Sequence, residues 1–184
     1  LMGGFLWDDD TSLYANPVVR ADDGLYRLWL TPARADDFPL TQTSFWLEWR
    51  LWGDSPAGYR VTNLLLHAAG AVLLWRLLAL LRVPCPWFAA ALFALHPLNV
   101  PSVAWISERK NTLSFVPSAA AFAAFVRGED RGSRRLYLVS ILLFLLSLSA
   151  KTAGVTLPLV FLVALWWRDG CVTPRAARRV LPHL

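Results

Sequence analysis

Three consecutive carboxylates, Asp8, Asp9 and Asp10, follow the apolar edge "FLW", and two lysines, Lys110 and Lys151, stand far downstream among sixteen arginines. Carboxylates facing cations suit a site in which a base takes a proton from a hydroxyl while positive groups hold a phosphate. His96, Glu108 and Arg109 are the other ionisable residues that could join it. Two structural readings compete with this chemistry. An aspartate run commonly makes a solvated loop with a helix cap, here Asp10 before a helix starting near Thr11. The charges could equally form an interhelical ion-pair network that holds a bundle together. The elements that position these residues decide between them.

Composition sets the kind of protein. The hydrophobic fraction is 56% and only 17% of residues are charged, against about a quarter in an ordinary soluble domain. Ten tryptophans in 184 residues suit a chain with much surface at a membrane interface, where indoles prefer to sit. The net charge of +5 does not indicate nucleic acid, because the basic residues lie in short clusters between apolar runs rather than along a groove. The sequence therefore predicts an all-α polytopic membrane protein.

A single membrane-embedded domain is expected over residues 1–184. Residues 1–7 read as the end of a preceding helix, residues 8–60 as an external loop, 61–167 as transmembrane helices and 168–184 as a cytoplasmic basic segment. The missing start and the open end, "RAARRVLPHL", make the chain read as an excerpt of a larger protein, expected to be inactive alone. Within the loop, Phe45, Trp46, Trp49 and Trp52 recur at helical spacing and predict a helix lying in the interface or packed on protein. Residues 61–81 are long enough to cross a hydrocarbon core of ~30 Å. Residues 87–106 give a second crossing broken at His96, Pro97 and Pro101. Three shorter apolar runs, 113–126, 136–150 and 153–167, bring the expected count to about five, with Pro117 and Pro158 as kinks that a bundle tolerates.

Alternating crossings place residues 82–86, 127–135 and 168–184 on one side. That side collects Arg82, Arg127, Arg131, Arg134, Arg135, Arg168, Arg175, Arg178 and Arg179, and is cytoplasmic by the positive-inside rule. Cys85 and Cys171 fall there too, so no disulfide is expected. The aspartate loop, the "HPLNVPSVAWISERKN" junction and the "AKTAG" junction share the opposite, non-cytoplasmic face. Both lysines lie on that face, against the positive-inside bias, which favours a functional role for them.

Four blocks in order carry a family resemblance: "FLWDDDTSLYANP", "PLTQTSFWLEWRLWGDSPAGYRVTNLLLHA", "ALFALHPLNVPSVAWISERKNTLS" and "SLSAKTAGVTLPLVFLVALWW". They resemble the membrane half of the transmembrane and tetratricopeptide-repeat O-mannosyltransferases, bacterial relatives above all. That family is similar to the wider glycosyltransferases of the C-type fold, whose donors are polyprenyl-phosphate sugars. The resemblance implies a multi-helix C-type bundle with an external loop carrying interfacial helices. Any tetratricopeptide repeats would follow residue 184.

By resemblance, Trp7, Asp8 and Asp9 match the aromatic and acidic start of the first external loop, which makes Asp8 the first candidate for the base and Asp9 the second. Arg109, Lys110 and Lys151 become candidate ligands of the donor phosphate, since guanidinium and ammonium groups pair well with phosphate oxygens. Glu108 belongs to the same charged cluster, His96 to a His-Pro element, and Asn16 and Asn63 to recurrent positions with hydrogen-bonding roles. The chain departs from the family pattern at Pro101, Arg60 and Ala150, where glutamate, histidine and serine are usual. Without the glutamate at 101 no metal site is assigned, and a divalent metal is left open as a cofactor. His67, one turn from Asn63, reads as a packed core histidine, and Phe88 and Phe93 as core aromatics.

The expected function is transfer of a mannose-like sugar from a polyprenyl-phosphate donor to a protein Ser or Thr hydroxyl, at the external face of a membrane, most simply a bacterial inner membrane. The expected partners are that lipid-linked sugar, the acceptor protein and membrane lipid, with no nucleic acid. The alternative is a non-catalytic scaffold or transporter-like bundle with downstream protein-binding repeats.

Overall fold

A computed structural model describes residues 4–31, 38–172 and 174–183. Among the described residues the regular structure is all helical, as the sequence predicts. A π-helical turn over Asp10–Tyr14 leads into two short helices, α1 (Pro17–Arg20) and α2 (Gly24–Leu30). Then come α3 (Pro39–Trp52), α4 (Pro56–Leu80), α5 (Pro86–Leu95), α6 (Val100–Ala104), α7 (Arg109–Arg131), α8 (Arg134–Ala150), α9 (Leu157–Asp169) and α10 (Pro174–Val180). Residues 4–6 carry no regular structure, and Trp7 has a φ of +38°. Residues 1–3, where a preceding helix was expected to end, lie outside the described part.

Proline opens α1, α3, α4, α5, α9 and α10, where its missing N–H costs no helical bond. Pro158 is one of these first-turn residues, so it starts a helix instead of kinking one. Pro117 does lie inside a helix, α7, which runs on through it. Beside it the hydroxyl of Ser147 on α8 meets those of Ser114 and Ser118, at 3.1 and 2.6 Å.

Two helices, α4 and α8, show an inverted amphipathic pattern, and α9 is apolar on its outer face as well as its inner one. In α4 the buried face is Asn63, His67, Gly70 and Leu77, while Leu64, Leu65, Val72 and Trp75 are exposed. In α8 the residues turned inward are Ser140, Phe144, Ser147 and Ala150, and Leu138, Leu142, Leu145 and Leu146 face outward. In α9, Val163, Trp166 and Trp167 point out. Such apolar stripes are costly against water and natural against lipid. Helix α4, at 25 residues, is long and apolar enough to cross a membrane by itself. The stretch Pro86–Leu95 with Pro97–Ala104 passes the same test only as a pair bent by 54°, a broken span or a re-entrant loop. The bend falls at His96–Pro97, as the sequence suggests.

The core has two parts. Helix α7 forms the centre of the larger one, in which Phe122, Phe125 and Val126 pack with Leu77 of α4, Phe144 of α8 and Phe161 and Leu165 of α9. Alanines at 119, 121, 123 and 124 keep α7 slim, so neighbouring helices approach closely. Gly70 serves the same purpose on α4, since a Cβ there would stand 2.9 Å from the Phe115 ring. The smaller core, Leu13, Val19, Phe45, Tyr59 and Ile106, joins the N-terminal segment to α3, α4 and the turn before α7. It is this second core that positions the candidate site.

Candidate functional site

The segment after Trp7 is held down by Asp9. Its side chain is fully buried. One carboxylate oxygen accepts the Leu6 N–H at 3.0 Å and the other the Ser107 N–H at 2.7 Å. Asp8, one residue earlier on the helical turn, points elsewhere and is exposed. It lines a cavity of about 350 Å³ together with Thr11, Ser12, Gln42, Ser107 and Lys110. Asp10 is the first residue of the π-helical turn and Asp9 stands at its N-cap position, with no side-chain cap hydrogen bond, which corrects the expectation that Asp10 caps a helix starting near Thr11. The cap in this segment is Asn16, whose side-chain oxygen accepts the N–H groups of Val18 and Val19 at 2.9 and 3.4 Å.

Helix α3 packs on protein through one face and leaves the other free. Phe45 is buried in the smaller core, and Thr41 donates to the Ala150 carbonyl at 2.9 Å, 109 positions away in sequence. Leu47, Leu51 and Trp52 remain exposed. On the buried face, one turn after Phe45, sits Glu48, a residue the sequence reading did not single out. Its signal was present as a carboxylate in register with Thr41 and Phe45 on the inward stripe of an aromatic helix.

Glu48 pairs with Arg109. The guanidinium is fully buried and donates to Glu48, to the Asn63 side-chain oxygen at 2.8 Å, to Ser44 Oγ at 3.3 Å and to the Tyr59 carbonyl at 2.9 Å. Its Cζ lies 4.7 Å from the centre of the Phe45 ring. Burial lowers the guanidinium pKa, while the charge of Glu48 and its hydrogen bond work against that loss. Asn63 completes the knot by donating to the Trp105 carbonyl at 3.1 Å. Arg109 thus ties α3, α4 and α7 together inside the protein. Arg60, where the family pattern has histidine, is also buried and donates to the Gly4 and Ala104 carbonyls.

The remaining candidates form a line along the start of α7. Lys110, which shares the cavity of Asp8, pairs with Glu108 at 3.1 Å. The other oxygen of Glu108 accepts from the Asn111 amide, which also donates to Ser102 Oγ at 3.1 Å. The Asn111 side-chain oxygen accepts from Lys151. Asn111 is the second residue missed by the sequence reading, although it directly follows the charged triplet. Lys151 and Asn111 in turn border a groove of about 500 Å³ between α4, α7 and α9, whose walls include Leu74, Leu77, Phe115, Phe122, Leu157 and Val160. The structure therefore joins Asp8, Lys110, Glu108 and Lys151, by way of Asn111.

His96 is not in this line. It is exposed, and its Nδ1 accepts the Leu98 N–H at 3.2 Å, which caps the turn over Pro97–Asn99. His67 is packed as expected, buried with Nε2 at 3.0 Å from the Ala94 carbonyl and its ring against Phe93. Phe93 is half-buried and stacks on Phe115, while Phe88 is exposed, so neither is the buried core aromatic that was expected. Among the described residues no three His, Cys, Asp or Glu side chains converge as metal ligands would. Cys85 and Cys171 are exposed free thiols.

No family model matches the chain, and no solved structure matches it. Curated proteins do. A protein O-mannosyl-transferase of Caenorhabditis elegans is 28% identical over 179 residues, covering 89% of this chain and 25% of that protein. Protein O-mannosyl-transferase Tmtc1 of Drosophila melanogaster is 29% identical over 171 residues, 85% of this chain and 20% of its own length. Human protein O-mannosyl-transferase TMTC3 is 26% identical over 170 residues, 85% of this chain and 19% of its own length. The chain thus spans a quarter or less of these relatives.

Proposed function

We propose that this chain, similar along most of its length to protein O-mannosyl-transferases, is the part of a membrane glycosyltransferase of the transmembrane and tetratricopeptide-repeat family that holds a lipid-linked sugar donor and the base for its transfer. One observation carries this reading. A continuous line of hydrogen bonds runs from Lys110, in the cavity of the exposed carboxylate Asp8, through Glu108 and Asn111 to Lys151 at the edge of an apolar groove. The groove suits a polyprenyl chain, and the ammonium at its edge suits a phosphate, because an ionised donor strengthens hydrogen bonds to phosphate oxygens. The sugar would then lie toward Lys110 and Asp8.

In this proposal Asp8 takes the proton of an acceptor Ser or Thr hydroxyl as that oxygen attacks the anomeric carbon. The bond from that carbon to the donor phosphate breaks, and the phosphate leaves with the electron pair, its charge met by Lys151 and Lys110. Asp9 is the weaker candidate for base, because both of its oxygens already hold backbone N–H groups. Arg109 is likewise a positioning residue. Its four protein partners leave it to support the turn carrying Glu108 and Lys110.

We place five crossings in the membrane, with Asp8 and both lysines on the non-cytoplasmic face and a bacterial inner membrane as the simplest setting. The outward leucine and tryptophan stripes of α4, α8 and α9 support this. So does the gathering of Asp8, Lys110 and Lys151 at one end of the bundle and of the arginine clusters at the other. A divalent metal is not required by this chemistry.

The test is a transfer assay on the full-length protein, with a polyprenyl-phosphate mannose donor and a Ser/Thr acceptor. General-base contributions run about 10² to 10⁴-fold, so Asp8→Asn should lower kcat at least a hundredfold while insertion and donor binding persist. Full activity in Asp8→Asn would remove Asp8 from the mechanism. Absence of transfer by the intact protein with any lipid-linked sugar would favour a scaffold.

A further inference from the structure

The end of the bundle farthest from Asp8 carries a second site. There a cavity of about 600 Å³ is lined by Gly132, Ser133, Arg134, Tyr137, Arg178 and Arg179. Three arginines thus line one space. Arg179 is held in place, because it pairs with Glu129 and its carbonyl accepts the Tyr137 hydroxyl at 2.9 Å. Arg134 and Arg178 are exposed and have no hydrogen-bond or ion-pair partner among the described residues. One carboxylate against three arginines leaves the cavity cationic by two charges. Ser133 caps the 17-residue α8 at the same spot, so the positive end of that helix adds to the field.

The surface beside this cavity says what kind of anion fits. Arg134 is followed on α8 by Leu138, Leu142 and Leu145, at intervals of four, four and three, hence on one face of the helix. All three leucines are at least half exposed, at 50%, 61% and 54%. A guanidinium head above an outward apolar stripe matches an amphiphile with a phosphate at one end and acyl chains at the other. A free phosphate would use the arginines alone, whereas a phospholipid would also meet the lipid-facing stripe beside them.

We propose that this cavity binds the phosphate headgroup of an anionic phospholipid, with Arg134 and Arg178 as its ligands, Arg179 as the fixed third cation, and the acyl chains along Leu138, Leu142 and Leu145. The site shares no lining residue with the donor groove, whose Asn111 and Lys151 edge lies at the other end of α7 and α8, and its occupancy does not depend on sugar transfer. It gives the arginine-rich end of the bundle a defined lipid contact.

Native mass spectrometry of the full-length protein in detergent tests this, titrating with dioctanoyl phosphatidylglycerol, dioctanoyl phosphatidylcholine and glycerol 3-phosphate. Phosphatidylglycerol should be retained at one site about tenfold more tightly than phosphatidylcholine, and Arg134→Gln with Arg178→Gln should weaken it by about tenfold or more. Arg178→Gln alone changes one exposed side chain and should give part of that loss with the fold intact. Arg131→Gln, which removes an exposed arginine outside the cavity, is the control and should change nothing. Equal loss in Arg131→Gln, or unchanged retention in the double variant, would overturn the site. Glycerol 3-phosphate binding as tightly as the lipid, and lost in the double variant, would keep the phosphate site but assign it to a soluble phosphate ester.

Discussion

The carboxylate of Asp9 accepts the backbone N–H of Ser107 at 2.7 Å, across 98 positions of sequence. This bond pins the segment carrying Asp8 to the turn carrying Glu108, Arg109 and Lys110, and so sets the width of the cavity between Asp8 and Lys110.

Asp9→Asn should therefore act through stability. Two N–H groups face the two oxygens, and an amide offers only one acceptor, so one buried donor is left without a partner. Such a loss costs about 1–3 kcal/mol. A lowered thermal midpoint, with transfer falling in proportion to the folded protein, is the expected result. A collapse in kcat at unchanged stability would make Asp9 the base and Asp8 its neighbour.

The Glu48–Arg109 pair yields a second expectation. Removing one member leaves a buried charge uncompensated, at about 3–5 kcal/mol, whereas replacing both with apolar residues is often close to neutral. Arg109→Met and Glu48→Leu should each destabilise severely, and the double variant should recover much of the loss. Thermal melts of the four proteins measure the coupling. Strictly additive losses would contradict the pairing, and a raised donor KM in a stable Arg109→Met protein would return Arg109 to the phosphate.

Lys151 should behave differently from Arg109. It is only partly buried and its hydrogen bond is to a neutral amide. Lys151→Ala should leave stability nearly unchanged and raise the KM for the lipid-linked donor, by about 1.5–3 kcal/mol for a charge-assisted contact. Steady-state kinetics at varied donor separate this from a kcat effect. An unaltered KM would reassign the apolar groove.

His183 gives a pH dependence at the other end of the bundle. Its ring is buried among Phe125, Tyr137, Phe144 and Phe161, with Nε2 at 3.1 Å from Ser140 Oγ. The charged groups near this tail include Arg134, Arg178 and Arg179, with Glu129 as the partner of Arg179. Burial lowers the imidazole pKa, against weaker opposing backbone hydrogen bonds from Val180 and Arg179. The unfolded segment thus binds a proton at higher pH than the docked one. Docking is strongest above the ordinary histidine value of about 6.5 and weakens as pH falls through it toward the lowered folded value. Protection factors of the amides over residues 174–183, corrected for the intrinsic pH dependence of exchange, should fall at pH 5.5 relative to pH 7.5, and His183→Phe should abolish that difference.

Much of the fold was legible because its signals are local. The apolar run after Arg60 and the break at His96–Pro97 both act within one or two helical turns, where periodicity and backbone sterics decide the outcome. The inverted faces of α4 and α8 are local too, with Asn63, His67 and Gly70 on one stripe and leucines on the other. The division of Asp8 from Asp9 was not legible, since consecutive helical residues point about 100° apart and only the packing says which one meets the protein.

The sequence by itself determined an all-helical chain rich in apolar faces, the arginine asymmetry between its two ends, and the set of polar residues from which a site must be built. Tertiary structure alone decided the partnerships among those residues. Arg109 meets Glu48 from 61 positions away and Lys151 meets Asn111 from 40, contacts that depend on the angles at which whole helices cross. A buried arginine and a free one carry the same charge in the sequence. They differ only in whether a carboxylate, an amide and a carbonyl are brought close enough to replace the water each has lost.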